Sequence, residues 1–322
     1  MTDSPRTILD CIGKTSILPL RAIVPASSAR VLLKLESENS TGSMKDRMAL
    51  AIIEAAETSG RLAPGGSVVE YTGGSTGVSL ALICAVKKHP LYIVSSDAFS
   101  KEKLDHMRLL GATLQLVPSE DGRMTEKLTK DMIEAARVVA AETGAFWVDQ
   151  MNNRDQLAAY HEMAEEIWVQ TGGQIDGFVQ IVGTAASVRG LAQTLRARNQ
   201  SITIAAVEPA ESAVLSGGRS GAHKIDGVGA GYVVPLWRSG IADRIERVTT
   251  DEATEMALRL AREEGLFAGV STGANVVAAL RLAEELGSNA TVVTVMVDTG
   301  MKYLHTYGSR TKNAGTSMGA AT

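Results

Sequence analysis

Short apolar runs bounded by turn residues alternate with helix-period segments along almost the whole chain, and this alternation constrains the fold more than any other feature. Val31 to Leu35, Ser67 to Tyr71, Leu91 to Ser95, Thr113 to Val117, Gly177 to Val182, Ile202 to Val207 and Thr291 to Val297 read as buried parallel strands. Between them, segments 48–59, 78–88, 101–110, 124–143, 155–170, 187–198, 250–264 and 275–286 place apolar residues three and four apart, which predicts amphipathic helices. Such a sequence makes an α/β fold with a largely parallel sheet. The pattern recurs on either side of residue 150 in a chain of 322 residues, so two open, mostly parallel twisted sheets flanked by helices are expected.

Composition narrows the functions. Lys and Arg number 32 against 36 Asp and Glu, a net charge of -4, so no general field favours nucleic acid or an anionic membrane. Cys11 and Cys84 are the only cysteines and lack the spacing of a zinc or redox motif. The five histidines are scattered and none is four residues from another, so no metal site is expected. Met1 to Lys14 lacks the apolar core of a signal peptide, and the apolar stretch Val78 to Val86 is far short of the roughly 18–20 residues that span a bilayer. A cytoplasmic protein acting on small molecules is expected, with a flexible tail over 309–322.

In open α/β sheets ligands bind beyond the carboxyl ends of the strands, where loops enter helices. Thr72-Gly73-Gly74-Ser75-Thr76-Gly77 follows one predicted strand and offers free N–H groups and hydroxyls at a positive helix end, which suits an anion. Gly183-Thr184-Ala185-Ala186-Ser187 is a second candidate of the same kind. Gly269-Val270-Ser271-Thr272-Gly273 and Asp298-Thr299-Gly300 stand at two further junctions. Each, taken alone, also reads as an ordinary turn or capped helix.

Other motifs compete. Gly13-Lys14-Thr15 resembles the end of a phosphate-binding loop, but Ile8 stands where that motif needs glycine and no strand precedes it. Gly227-Val228-Gly229-Ala230-Gly231 has Tyr232 at the third glycine position of a dinucleotide fingerprint. A nucleophile elbow, G-x-S-x-G, is matched at both Ser75 and Ser271. Asp298 and His305 follow Ser271 in hydrolase order, yet little chain remains for the other strands, and nothing selects a partner for Ser75 among His89, His106, His161, His223 and His305.

The segment Lys34-Leu35-Glu36-Ser37-Glu38-Asn39-Ser40-Thr41-Gly42-Ser43-Met44-Lys45-Asp46-Arg47 shifts the balance. It resembles the K-x-E-x-x-N-P-x-x-S-x-K-D-R stretch of the cysteine synthase and cystathionine β-synthase family of fold-type II pyridoxal-phosphate enzymes. The resemblance continues in order to about Tyr303: Thr72 to Gly77 is similar to T-S-G-N-T-G, Gly183 to Ser187 to G-T-G-G-T, His223 to Gly231 to H-K-I-x-G-I-G-x-G, and Gly269 to Gly273 to G-I-S-S-G. It implies that Lys45 forms the Schiff base with pyridoxal 5'-phosphate and is the catalytic base. It also implies that Gly183, Thr184, Ala185, Ala186 and Ser187 cradle the cofactor phosphate, and that Ser75 and Ser271 meet its ring. Thr72, Gly73, Gly74, Ser75, Thr76, Gln150 and Gly227 would bind the amino-acid substrate.

The implied reaction is β-replacement on an activated serine: O-acetylserine with sulfide, giving cysteine. Cystathionine formation or β-replacement with another nucleophile is the alternative, and a serine hydrolase or a weakly catalytic binding paralogue a more distant one. A homodimer is implied, with an amino-terminal domain of 1–16 and 39–153 that closes on a second domain of 17–38 and 154–308. Three departures stand out. Ser75 replaces an asparagine that bonds the cofactor's phenolic oxygen, and Ala185 and Ala186 replace glycines. Since alanine resists positive φ, right-handed backbone is expected at both alanines if the cradle is to survive.

Overall fold

A computed structural model describes residues 7–122, 125–305 and 307; the tail expected over 309–322 lies outside them. Among the described residues ten strands and eight α-helices follow one another: β1 (Ile17–Pro19), β2 (Arg30–Leu35), α1 (Lys45–Thr58), β3 (Val68–Tyr71), α2 (Ser75–Lys87), β4 (Leu91–Ser96), α3 (Lys101–Leu109), β5 (Thr113–Val117), α4 (Glu126–Thr143), β6 (Phe146–Trp147), α5 (Gln156–Gln170), β7 (Gly177–Ile181), α6 (Ala186–Arg198), β8 (Thr203–Pro209), β9 (Arg244–Val248), α7 (Thr250–Arg259), α8 (Val270–Leu286) and β10 (Thr291–Met296).

Two sheets result. A wholly parallel one has the order β5-β4-β3-β6; a mixed one has the order β1-β2-β10-β7-β8-β9, antiparallel only between β1 and β2. Strand β10, the last in sequence, lies between β2 and β7, so its fully apolar or hydroxyl-bearing run Thr291–Met296 is buried throughout. That is why it reads as a continuous apolar run and not as an alternating one. Helices α1, α5, α6 and α8 share one core with the mixed sheet, while Val69, Val94, Leu128, Met132, Ala136 and Ala145 form a separate cluster beneath α4. No helix among the described residues is long and apolar enough to cross a membrane.

Three strands escape the sequence pattern. β1 and β6 have three and two residues, and β9, Arg-Ile-Glu-Arg-Val at a sheet edge, is polar because one side meets solvent. Helices α1, α2 and α8 also begin at residues 45, 75 and 270, ahead of the periodic starts at 48, 78 and 275. α1 opens on Lys45-Asp46-Arg47 and α2 on Ser75-Thr76-Gly77, without an apolar face to announce them, and in α8 hydroxyls and glycine follow Val270 before the apolar period sets in. All three starts gather at Asp298, which Ser43 bridges, to which Ser75 Oγ donates, and whose carbonyl accepts from the Gly269 amide.

Candidate active site

The residues resembling the K-x-E-x-x-N…K-D-R pattern divide into two sets. Lys34, Glu36, Asn39 and Arg47 are buried and bond to one another and to α5: Arg47 Nε donates to Glu36 (2.7 Å), its Nη1 to Glu166 (2.7 Å), and Lys34 Nζ to Glu166 (2.6 Å). Asn39 Oδ1 accepts from the Gly13 amide (2.8 Å) and Thr15 Oγ1 donates to Glu36 (2.7 Å). Gly13-Lys14-Thr15 is thus a clamp on this network, consistent with its failure as a phosphate loop. Burial would raise the Glu166 carboxyl, but the Arg47 hydrogen bond and charge, with Lys34, bring it down to about 2.

Lys45 belongs to the other set. It opens α1, half-buried, on a segment pinned to the carboxyl end of β10: the Met44 amide donates to Val297 O (2.9 Å), and Ser43 bridges Asp298. Burial lowers the Lys45 ammonium below the ordinary lysine value, against the charge of Asp298. An amine that sheds its proton more readily is a better nucleophile and base.

Beyond β3 the chain enters Thr72–Gly74 and then α2. Gly73 has no room for a side chain, because a Cβ there would lie 1.9 Å from the Phe99 ring, whereas Gly74 faces open space. Thr76 Oγ1 donates to Gln150 Oε1 (2.8 Å), so the two sequence-predicted carboxylate binders meet. With that oxygen occupied, the Gln150 NH₂ is left to donate. Glu70, fully buried at the end of β3, accepts from the Tyr71 amide (2.9 Å) and the Gln150 amide (3.1 Å), and burial pushes its carboxyl up to about 8. Asp149, just before the clamp, holds φ +48°.

The loop after β7 runs into α6. Ala186 is helical, but Ala185 caps the helix at φ +69° and ψ -3°, which corrects the expectation of right-handed backbone at both alanines. Its methyl is buried, and surrounding structure holds the disfavoured conformation. Gly183 is pressed against Gly227, whose carbonyl oxygen would lie 2.8 Å from an added Cβ, and Gly227, Gly229 and Gly231 all have positive φ. The G-x-G-x-G run therefore uses its glycines to turn tightly and pack against the loop before α6. Gln156 links the two candidate anion loops: its Nε2 donates to Gln150 O (2.6 Å) and its Oε1 accepts from Thr184 (3.3 Å). Sequence reasoning missed Gln156, which looks like any polar residue at a helix start.

Helix α8 is capped by Gly269 and has Ser271 buried in its first turn. Opposite lies Asp298, 3% exposed, whose Oδ2 accepts from Ser75 Oγ (3.2 Å) and Tyr303 OH (2.7 Å). Its Oδ1 is buried without a hydrogen-bond partner among the described residues. Lys302 Nζ donates to Ser75 Oγ at 3.5 Å, and Lys103 Nζ lies 4.2 Å from the centre of the Tyr303 ring while pairing with Asp226 (3.1 Å). Neither Ser75 nor Ser271 is hydrogen-bonded to a histidine among the described residues, and His305 is exposed. A hydrolase triad is not assembled.

The donor set fits a phosphorylated aldehyde cofactor. The first N–H groups of α6 have no carbonyl partners within the helix, a partial positive charge collects there, and the flanking Thr184 and Ser187 are largely buried. An amine of lowered basicity stands at the first turn of a second helix, which suits an imine link. The chain matches the pyridoxal-phosphate-dependent enzyme family over residues 8–298. It is 39% identical to a cysteine synthase of Staphylococcus aureus over 302 residues, covering 93% of this chain and 95% of that one. Among solved structures it is similar to O-acetylserine sulfhydrylase isoform 3 of Entamoeba histolytica (TM-score 0.87, 34% identity, 95% and 93% of the two chains). A hydrogen sulfide-producing enzyme of Fusobacterium nucleatum is equally similar (TM-score 0.87, 34% identity, 94% and 100%).

Proposed function

The chain belongs to the pyridoxal-phosphate-dependent enzymes, and from that membership we propose that it carries out β-replacement on an activated serine, taking O-acetylserine and sulfide to cysteine. The observation that carries this reading is the joining of the two candidate anion loops, the Thr76–Gln150 pair being tied through Gln156 to Thr184 before α6, with Lys45 two residues after Ser43, which bridges the Asp298 that Ser75 bonds. The cysteine synthase and O-acetylserine sulfhydrylase relatives support the choice of donor and nucleophile.

In this reading Ser187 and the backbone of 183–186 hold the cofactor phosphate, and Ser271 meets the ring nitrogen. The cofactor, once bound, supplies an electron sink for the substrate's Cα. Lys45 Nζ takes the Cα proton, a role its lowered basicity suits near neutral pH. Thr72, Gly73, Gly74, Thr76 and the free Gln150 NH₂ bind the substrate carboxylate, with Gly227 at the mouth. Ser271 is a neutral hydroxyl; it leaves a ring nitrogen unprotonated, which favours expulsion of a good β-leaving group over storage of negative charge in the ring. The smaller unit, 1–16 and 39–153, closes on 17–38 and 154–308 to exclude water. The same reading takes the enzyme as a cytoplasmic homodimer.

The test is a visible spectrum of the cofactor-loaded protein titrated with O-acetylserine, O-phosphoserine and serine, followed by product analysis with sulfide. A rapid spectral change with O-acetylserine and cysteine formation are expected. No borohydride-sensitive chromophore, or no cysteine from any of the three donors, sinks the proposal. Lys45→Ala should abolish the chromophore's covalent link and turnover together.

A further inference from the structure

The Ser75 hydroxyl has one hydrogen, and Asp298 takes it. Asp298 Oδ2 accepts from both Ser75 Oγ (3.2 Å) and Tyr303 OH (2.7 Å), and an ionised carboxylate has no hydrogen to give back. Lys302 Nζ, 3.5 Å from the same hydroxyl oxygen, also acts only as a donor toward it. Ser75 is therefore surrounded so that its remaining capacity is acceptance. Thr76 has likewise given its hydrogen to Gln150, so it does not supply the missing donor.

We propose that Asp298 is a positioning residue that turns Ser75 into an acceptor, so that the part of the bound molecule facing Ser75 must bring a hydrogen of its own. Resting on the reading that Ser75 faces the ring of pyridoxal phosphate, the group concerned is the ring hydroxyl, which then stays protonated and donates to Ser75 Oγ. An amide donor at position 75 would instead stabilise the ionised ring oxygen. Asp298 is fixed for this task. Its backbone bridges Ser43, two residues before Lys45, its carbonyl accepts from the Gly269 amide (3.2 Å), and a side chain on Gly269 would strike Oδ1 at 2.3 Å. Tyr303, held beneath Lys103, closes the other side. Burial raises the Asp298 carboxyl above its ordinary value, against the Lys302 charge, the Tyr303 hydrogen bond and the Lys103 charge, so the acceptor form depends on these neighbours.

The two states of the ring oxygen absorb differently: the neutral form in the near ultraviolet, the ionised form in the visible. Spectra of cofactor-loaded wild type, Ser75→Asn and Asp298→Asn at neutral pH read the ratio without turnover. The near-ultraviolet to visible ratio should be at least twofold higher in wild type than in Ser75→Asn, which places a donor amide there. It should fall likewise in Asp298→Asn, whose amide can donate to Ser75 and release the hydroxyl hydrogen. An unchanged ratio in a folded Ser75→Asn protein overturns the proposal even if Asp298→Asn does not fold. A visible-dominated wild-type spectrum that collapses in Lys302→Met overturns it too, since Lys302 would then be the donor. Loss of any borohydride-sensitive chromophore in wild type is a different result: it removes the cofactor reading itself.

Discussion

Two residues carry costs of their own, one in backbone conformation and one in burial. A non-glycine residue in the left-handed region costs about 1–2 kcal/mol, and Ala185 holds φ +69°. Ala185→Gly relieves that strain but loosens the unfolded chain by about 0.4–1 kcal/mol, so a net gain between about 0 and about 1.6 kcal/mol is expected in thermal unfolding. A lowered melting temperature would show that the buried methyl contributes more by packing than its backbone costs. Glu70 offers a cleaner sign. Its folded carboxyl, pushed by burial to about 8, binds a proton that the unfolded carboxyl has lost above about 4.5. Stability from this group is therefore fullest below the ordinary glutamate range and drains away as pH rises to about 8. Unfolding curves of wild type should weaken over that window, and Glu70→Gln should weaken less. Equal slopes would show that Glu70 ionises normally. Because glutamine has one acceptor oxygen for the two amides Glu70 now serves, the variant should also raise KM for the amino-acid substrate through a loosened Gln150.

At the scale of elements, the strands of the two sheets were legible because burial on both faces writes a continuous apolar run, as in β7 and β10. The first turns of α1, α2 and α8 were not. In Ser75-Thr76-Gly77 and Val270-Ser271-Thr272-Gly273, hydroxyls bond to Asp298, Gln150 and the Val297 amide and both glycines are closely approached, so their composition follows polar contacts and close approach, and the 3.6-residue period starts only afterwards. The candidate site was legible as motifs, while the contact made by Gln156 and the acceptor role of Asp298 depend on partners 28 and 223 residues away. Close approach gives a paired prediction. A Cβ on Gly273 would lie 1.9 Å from Ala253 O, a backbone atom of α7, so Gly273→Ala must shift one helix and should cost about 1–3 kcal/mol or more. Gly74, with no atom within 4 Å of an added Cβ and φ of -107°, should tolerate alanine within about 0.5 kcal/mol. Chemical denaturation of the two variants measures the difference, and similar losses would contradict the packing argument.

Across the whole molecule, the network of Lys34, Glu36, Arg47 and Glu166 joins β2, α1 and α5, and so fixes the helix that carries Lys45 against the mixed sheet. Sequence shows these residues as part of a catalytic-looking stretch, but their fourth member, Glu166, lies 119 residues beyond Arg47, and no local pattern marks it. Its energetic weight follows from burial. Removing one partner of a buried ion pair leaves the others uncompensated at about 3–5 kcal/mol, far above the median of roughly 0–1 kcal/mol for exposed pairs such as Lys127–Asp131. Glu166→Gln should therefore destabilise the protein by about 3–5 kcal/mol at neutral pH, and Asp131→Asn by less than about 1 kcal/mol. The pH dependence separates a charge effect from simple loss of shape. The folded carboxyl of Glu166 is held down to about 2, so its stabilisation is full above the unfolded value of about 4.5 and is lost as pH falls through about 2. Wild type should weaken through that acid window, and the difference between wild type and Glu166→Gln should narrow with it. A gap that stays constant from neutral pH down to about 2 would mean that Glu166 acts through packing and not through its charge.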